Sequence, residues 1–326
     1  MKKWLRYLLI GLAVLLAAAL VIPLIIPIPP AGDTRPAREL AGPNSEFVEV
    51  HGLEVHLQQS GEGTPPLILL HGFLASTFTW REVLDPLASD HLVIAFDRPA
   101  FGLTERQLPP YPNGVNPYTP SSQVELSIGL MDTFGVEQAV LVGNSAGGTI
   151  AMLTALEHPD RIAALVLVDP AVYTGGGAPP FVRPLLQLPQ IRRIGPLFVR
   201  YVRNWGLELL EGAWHDPSRI TPEIVAGSTL PLQADNWDRA LWEFTLASRE
   251  PDLVDRLDEF QMPVLVITGD DDRVVPTEQS IRLAGEIPGA KLVVIPECGH
   301  APQEECPREF LQAAQDFLRG LNGREP

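Results

Sequence analysis

Short unbroken apolar runs recur along this chain, separated by stretches whose apolar positions fall at helical spacing. The runs are "PLILLHG" (66–72), "HLVIAFD" (91–97), "AVLVGNS" (139–145), "AALVLVD" (163–169), "PVLVITG" (263–269) and "AKLVVIP" (290–296). Apolar runs without alternation are typical of parallel strands covered on both faces. Helical patterns occupy the intervals, in "QVELSIGLMDTF", "TEQSIRLAGEI" and the closing "REFLQAAQDFLRGL". Ahead of all of them, "EFVEVHGLEVHLQQS" alternates around His51-Gly52, a hairpin signal. The pattern predicts an α/β fold, a doubly wound and mostly parallel sheet begun by an antiparallel hairpin.

Two segments depart from it. Residues 171–262 hold four of the six tryptophans (Trp205, Trp214, Trp237 and Trp242) with apolar positions at helical spacing. They read as a helical cap inserted over the strand ends, its tryptophans forming mainly its own core. At the other end, residues 7–32 carry no charge, and roughly 20 apolar residues cross a ~30 Å hydrocarbon core. A cleaved signal peptide has a shorter apolar region, and no persuasive small-residue cleavage site follows here. Residues 1–30 are therefore expected to be an uncleaved membrane anchor. Lys2, Lys3 and Arg6 favour the cytoplasmic side and place the rest of the chain outside. Secretion after cleavage is the alternative. The Pro/Gly-rich residues 31–45 read as a linker. The sheet domain then spans 46–170 and 263–322, around the cap at 171–262.

Charge narrows the partners. The net charge is −16, and the only charges in the first thirty residues are those three cations, so the remainder carries −19. Such a body repels phosphate backbones and argues against nucleic acid. The two cysteines, Cys298 and Cys306, match no zinc or redox spacing and read as unpaired thiols. In an oxidising compartment, a bridge between them would clamp the loop that carries His300.

The candidate chemistry starts at Gly143-Asn144-Ser145-Ala146-Gly147, between a predicted strand and a predicted helix. This is G-x-S-x-G in the strand–turn–helix context that makes it a nucleophile elbow. The glycines allow a turn too tight for bulkier residues. Ser145 is presented at the carboxyl end of the sheet, and the Ala146 amide at the helix start can donate to a developing oxyanion. A serine hydroxyl needs a base to remove its proton and a carboxylate to orient that base. Of the seven histidines, His300 alone follows the last strand in a glycine-led loop, "PECGHAPQEECP", and so reaches the end of the sheet where Ser145 lies. His71 heads the loop after an earlier strand, where holding that loop's shape is the expected job. For the acid, "ITGDDDRVVP" offers Asp270, Asp271 and Asp272, and Asp169 is a fourth candidate.

Over residues 45–322 the chain resembles the α/β-hydrolase superfamily. The motifs that carry the resemblance, in the family's order, are "LLHGFLASTFTW", "AFDRPAFGLT", "LVGNSAGG", "ITGDDDRVVP" and "CGHAPQEECP". In that family the acid stands three residues past the strand-ending glycine and four before a proline, which selects Asp272, between Gly269 and Pro276. The resemblance also implies that the residue after His-Gly, Phe73, supplies a second oxyanion amide. It implies a Ser145–Asp272–His300 triad hydrolysing carboxylic esters with no metal or organic cofactor, and the apolar, tryptophan-containing cap suggests an apolar acyl or alcohol group in the substrate.

Serine at the elbow disfavours haloalkane dehalogenase and epoxide hydrolase chemistry, which uses aspartate there. "GNSAGG" is similar to the meta-cleavage C–C hydrolases. Those proteins usually carry tryptophan after the histidine and a glycine-rich oxyanion loop, where this chain has Ala301 and Phe73-Leu74-Ala75. C–C bond hydrolysis is the alternative activity, and a non-catalytic binding protein of the same fold is a third reading. An N-terminal anchor joined to such a domain is similar in layout to membrane monoacylglycerol lipases.

Overall fold

The computed structural model describes residues 3–173, 177, 181–249, 252–321 and 323, leaving the side chains of Asn204 and Trp205 undescribed. The expectations placed on Lys2, Trp205 and residue 322 fall outside what is described. Eight strands form one sheet: β1 (Glu46–Val50), β2 (Leu53–Ser60), β3 (Leu67–Leu70), β4 (Val93–Phe96), β5 (Ala139–Asn144), β6 (Ile162–Val168), β7 (Val264–Gly269) and β8 (Lys291–Ile295). Their spatial order is β1-β2-β4-β3-β5-β6-β7-β8. β1 and β2 pair antiparallel, as do β2 and β4, and every other neighbouring pair is parallel. His51 (φ 52°) and Gly52 (φ 77°) make the two-residue turn between Val50 and Leu53. Positive φ at both central positions matches the twist of a tight hairpin.

The unbroken apolar runs are explained by the two faces of the sheet. In β3, Ile68 and Leu70 join the core formed with the helices Pro120–Thr133 and Ala146–Glu157. Leu67 and Leu69 face the opposite core, with Trp80, Leu87, Phe310 and Phe317. β8 departs from this expectation: it is the edge strand, and Leu292 and Val294 remain more than a third exposed. The chain leaves central β3 for β4 on one side and later returns to β5 on the other. That reversal opens a crevice beyond the carboxyl ends of the strands, where ligands bind in sheets of this kind.

Between β6 and β7 lie the helices Arg183–Leu186, Pro189–Val199, Val202–Ala213, Pro222–Thr229 and Trp237–Ala247. Trp242 packs where a Cβ on Gly195 would fall 1.9 Å from its ring, so the two helices meet through a glycine. Trp214 and Trp237 are buried as well and also line the central cavity, so for these two the expected core role is joined by a place in the cavity wall. Arg106 Nη2 donates to Gly102 O (2.5 Å) and to Pro231 O (3.1 Å), tying this helical insertion to the sheet.

The N-terminal helix Lys3–Ile25 has 23 residues, an 18-residue stretch of which has a mean hydropathy of 3.0, and none of its residues is buried. It lies beside the helix Pro189–Val199, where Gln190 Nε2 donates to Leu20 O (3.1 Å) and Arg193 Nη2 to Ile26 O (3.1 Å).

Cys298 and Cys306 are joined in a disulfide, which corrects the reading of them as unpaired thiols. The partners are eight residues apart in sequence, with Cα atoms 6.3 Å apart, inside the range a bridge requires. A loop this short is worth roughly 2–3 kcal/mol in the chain-entropy account. Reduction should therefore lower the thermal midpoint of the folded chain, and the non-reduced chain should weigh two hydrogens less than the reduced one. An unchanged mass on reduction would show that the bridge is absent.

Candidate active site

Ser145 follows β5 and immediately precedes the helix Ala146–Glu157, with φ 53° and ψ −121°. Glycine flanks it for steric reasons: a Cβ on Gly147 would lie 2.1 Å from Leu70 O, and one on Gly143 would lie 2.6 Å from Gly148 Cα. The strained backbone is held from both sides. Ser145 N donates to Val168 O (2.8 Å), and Thr149 N donates to Ser145 O (3.2 Å). Positive φ at a non-glycine residue costs on the order of 1–3 kcal/mol and persists where the surroundings over-determine it.

His300 sits in the loop after β8 and is buried. Its backbone N–H donates to Ala213 O (2.7 Å), and its Nδ1 bonds Asp272 Oδ2 at 2.7 Å. A carboxylate only accepts, so the proton is on Nδ1, which leaves Nε2 as the lone-pair nitrogen of the ring. The other oxygen of Asp272 accepts from Val274 N (2.8 Å) and Val275 N (2.9 Å), which fixes the carboxylate's orientation. Asn144 Nδ2 donates both to Val168 O and to His300 O, each at 3.2 Å, stitching the elbow to the histidine's loop.

The remaining acids part company. Asp270 accepts from Cys298 N (3.4 Å), and Asp271 pairs with His215 Nδ1 (2.9 Å) and with Arg273. Asp169 is wholly buried, and its Oδ1 accepts from Thr268 Oγ1 (2.7 Å) and Gly269 N (3.3 Å). Burial, followed by the neighbouring Asp272, pushes the Asp169 carboxyl well above the usual carboxylate range.

His71 makes the loop-holding contacts expected of it: its Nε2 accepts from Arg98 N (2.9 Å) and its Nδ1 donates to Gly72 O (2.8 Å). Burial, with Arg98 adding to it, pushes this imidazole down to about 3, so it stays neutral in its structural role. His56 is likewise engaged, bonding Asp97 (2.6 Å) and Ser45 (2.8 Å).

Ser145 and His300 open onto one cavity of about 250 Å³, lined also by Phe73, Leu74, Trp214 and Leu241. The Ser145 hydroxyl and the His300 ring share this cavity without a hydrogen bond between them. Among the described residues, the backbone amides of Phe73 and Ala146 donate to no protein group, so both remain available to a ligand.

Glu305 was not singled out from the sequence. Its buried carboxylate accepts from Gly299 N (2.8 Å), His215 N (2.9 Å) and Asp216 N (2.8 Å), binding the histidine's loop to the segment after the helix Val202–Ala213. An acid inside "CGHAPQEECP" resembles a solvated helix start in sequence, and only the fold turns it inward.

The alpha/beta hydrolase family model matches residues 67–313. The chain belongs to that family. A 2-hydroxymuconate semialdehyde hydrolase of Pseudomonas sp. (strain CF600) is 32% identical to this hydrolase over 275 residues, 82% of this chain and 91% of that protein. Among solved structures, a thermophilic esterase from Thermogutta terrifontis matches with a TM-score of 0.69 at 26% identity, covering 85% of this hydrolase and 98% of the esterase. A membrane phospholipase A, described as a bacterial virulence factor, matches with a TM-score of 0.64 at 26% identity over 99% of each chain.

Proposed function

We propose that this hydrolase cleaves carboxylic esters of apolar acids or alcohols through an acyl-enzyme on Ser145. The observation that carries the reading is the pair of unengaged amides, Phe73 and Ala146, beside a serine whose cavity also receives the Asp272-oriented imidazole. In this mechanism His300 Nε2 takes the Ser145 proton as Oγ attacks the carbonyl carbon. The two amides then stabilise the oxyanion; in a related chemistry one such donor is worth ~2.7–4 kcal/mol. The imidazolium, held by Asp272, protonates the departing alcohol. Water enters by the same path in reverse, and the carboxylic acid leaves. The helical insertion at 171–262 serves as a cap whose apolar side chains bind the hydrocarbon part of the substrate.

A second reading, C–C bond hydrolysis of a vinylogous diketone, is favoured by relatives such as the semialdehyde hydrolase at 32% identity. Against it stand Ala301, where those enzymes usually carry tryptophan, and the Phe73-Leu74-Ala75 loop in place of glycines. A panel of p-nitrophenyl esters of increasing acyl length, run beside a coloured ring-fission product, separates the two. Turnover of the esters is expected, with kcat/KM rising as the acyl chain lengthens. Efficient bleaching of the ring-fission product with negligible ester turnover would reverse the assignment.

The exposed helix Lys3–Ile25, free of charge from Tyr7 onward, supports a membrane anchor that holds the catalytic domain outside the cytoplasm. The match to a membrane phospholipase A over 99% of both chains, N-terminal segment included, points the same way.

A further inference from the structure

Behind the Asp272–His300 pair lies a second carboxyl with no part in the mechanism above. Asp169 follows β6, is wholly buried, and holds a left-handed backbone (φ 45°) that a β-carbon residue seldom adopts. Its Oδ1 is filled by the Thr268 hydroxyl and the Gly269 amide, whereas its Oδ2 has no donor among the described residues. Reactive atoms of Asp169, Asp272 and His300 all lie within 4.8 Å of one another.

The titratable groups facing Asp169 are Asp272, on the loop after β7, and His300, on the loop after β8. On the elbow, the neutral amide of Asn144 is committed to Val168 O and His300 O. Two buried carboxyls this close do not both ionise. Asp272 has the ionised partner's environment: two backbone N–H donors on one oxygen and the imidazole N–H on the other.

We propose that Asp169 is a positioning residue, a permanently protonated carboxylic acid whose Oδ2–H donates to the Asp272 carboxylate. The inference rests on the reading of Asp272 and His300 as the acid–base pair. The proton stays on Asp169 throughout turnover; no bond to substrate is formed or broken there. Its donated hydrogen bond does two things. It adds a third anchor to the Asp272 carboxylate beside the His300 ring and the two backbone amides, and it withdraws charge from that carboxylate. With less charge facing it, the protonated imidazole is stabilised less. Burial and the Asp272 charge both favour the neutral form of Asp169.

Asp169→Asn and Asp169→Gly test this. The carboxamide of the first can accept from Thr268 and Gly269 and still donate to Asp272. The glycine deletes the donor while tolerating the left-handed backbone. Wild type minus Asp169→Asn, by infrared difference at neutral pH, should show a protonated-carboxyl C=O band. The difference removes any contribution from the other buried acid pushed upward by burial, Glu304. Asp169→Asn should keep ester kcat/KM within about threefold, with its acid limb in place. Asp169→Gly should lose roughly tenfold or more in kcat, and its acid limb should move up by about one pH unit. No difference band, or an acid limb in Asp169→Asn displaced as far as in Asp169→Gly, would overturn the proposal. So would ester turnover that survives Asp272→Asn and is lost in Asp169→Asn, because Asp169 would then be the working acid. The infrared measurement needs no turnover, so it still decides the protonation of Asp169 in an enzyme that proves not to be an esterase.

Discussion

Ser145→Ala is expected to lower kcat/KM for ester hydrolysis by about 10⁴–10⁶-fold and to abolish labelling by a fluorophosphonate probe. The substitution removes one oxygen and leaves the Cβ that the elbow already accommodates at φ 53°. The contacts that hold the turn, Ser145 N to Val168 O and Thr149 N to Ser145 O, are made by backbone atoms and survive. Folding, read by circular dichroism and the thermal midpoint, should therefore match wild type. What remains is the oxyanion site and the cavity, which can still bind ester but have no nucleophile to present. Residual hydrolysis of the size left by triad deletions elsewhere, ~10³–10⁴ over water, would be consistent with intact amides at Phe73 and Ala146. Labelling of Ser145→Ala at the wild-type rate would show that another nucleophile does the work and would remove the basis of the mechanism.

Some of this architecture could be read from the chain, and some could not. Buried strands were visible because helices cover both faces of the sheet, so Leu67 and Ile68 are equally buried while facing different cores. The rule misleads at β8, where edge position leaves Leu292 and Val294 partly open although the run is as apolar as the others. The elbow was legible because a sharp strand-to-helix turn demands small residues at fixed places, a demand written in Gly143 and Gly147.

The acid was not legible from residue type alone. Asp270, Asp271 and Asp272 are adjacent, yet one caps Cys298 N, one meets His215 and Arg273, and one meets His300. Which way each points depends on turn geometry, and only family spacing separated them beforehand. The disulfide and Glu305 lay further out of reach. Each depends on how the loop after β8 folds back on itself, a distance that no local pattern encodes. The double duty of Trp214 and Trp237, core and cavity wall together, likewise depends on where the helical insertion rests over the sheet.

Glu305→Leu should cost about 3–5 kcal/mol of stability and take most of the activity with it. In the folded chain, one buried carboxylate satisfies three backbone N–H groups, those of Gly299, His215 and Asp216. Leucine fills similar space but accepts nothing, and each buried donor left unpaired costs about 1–3 kcal/mol. For a chain of this size, that corresponds to a fall of roughly 5–7 °C in the thermal midpoint. The loss is aimed at the site, because Gly299 precedes His300 and Ala213, just before the anchored segment, accepts the His300 amide. Loosening these contacts lets the imidazole leave its place at the cavity it shares with Ser145, so kcat should fall more than KM rises. Glu305→Gln keeps one acceptor oxygen, enough for Gly299 and His215, but turns an N–H₂ toward the Asp216 amide. It should therefore fall between wild type and Glu305→Leu in both midpoint and labelling rate. The disulfide from Cys298 to Cys306 stays closed in both variants and limits the damage to the loop's orientation. A Glu305→Leu protein melting within about 2 °C of wild type, a difference of about 1 kcal/mol, would mean that the three amides find other acceptors. Glu305 would then be a dispensable ornament of the loop rather than the clasp between the His300 loop and the segment after the helix Val202–Ala213.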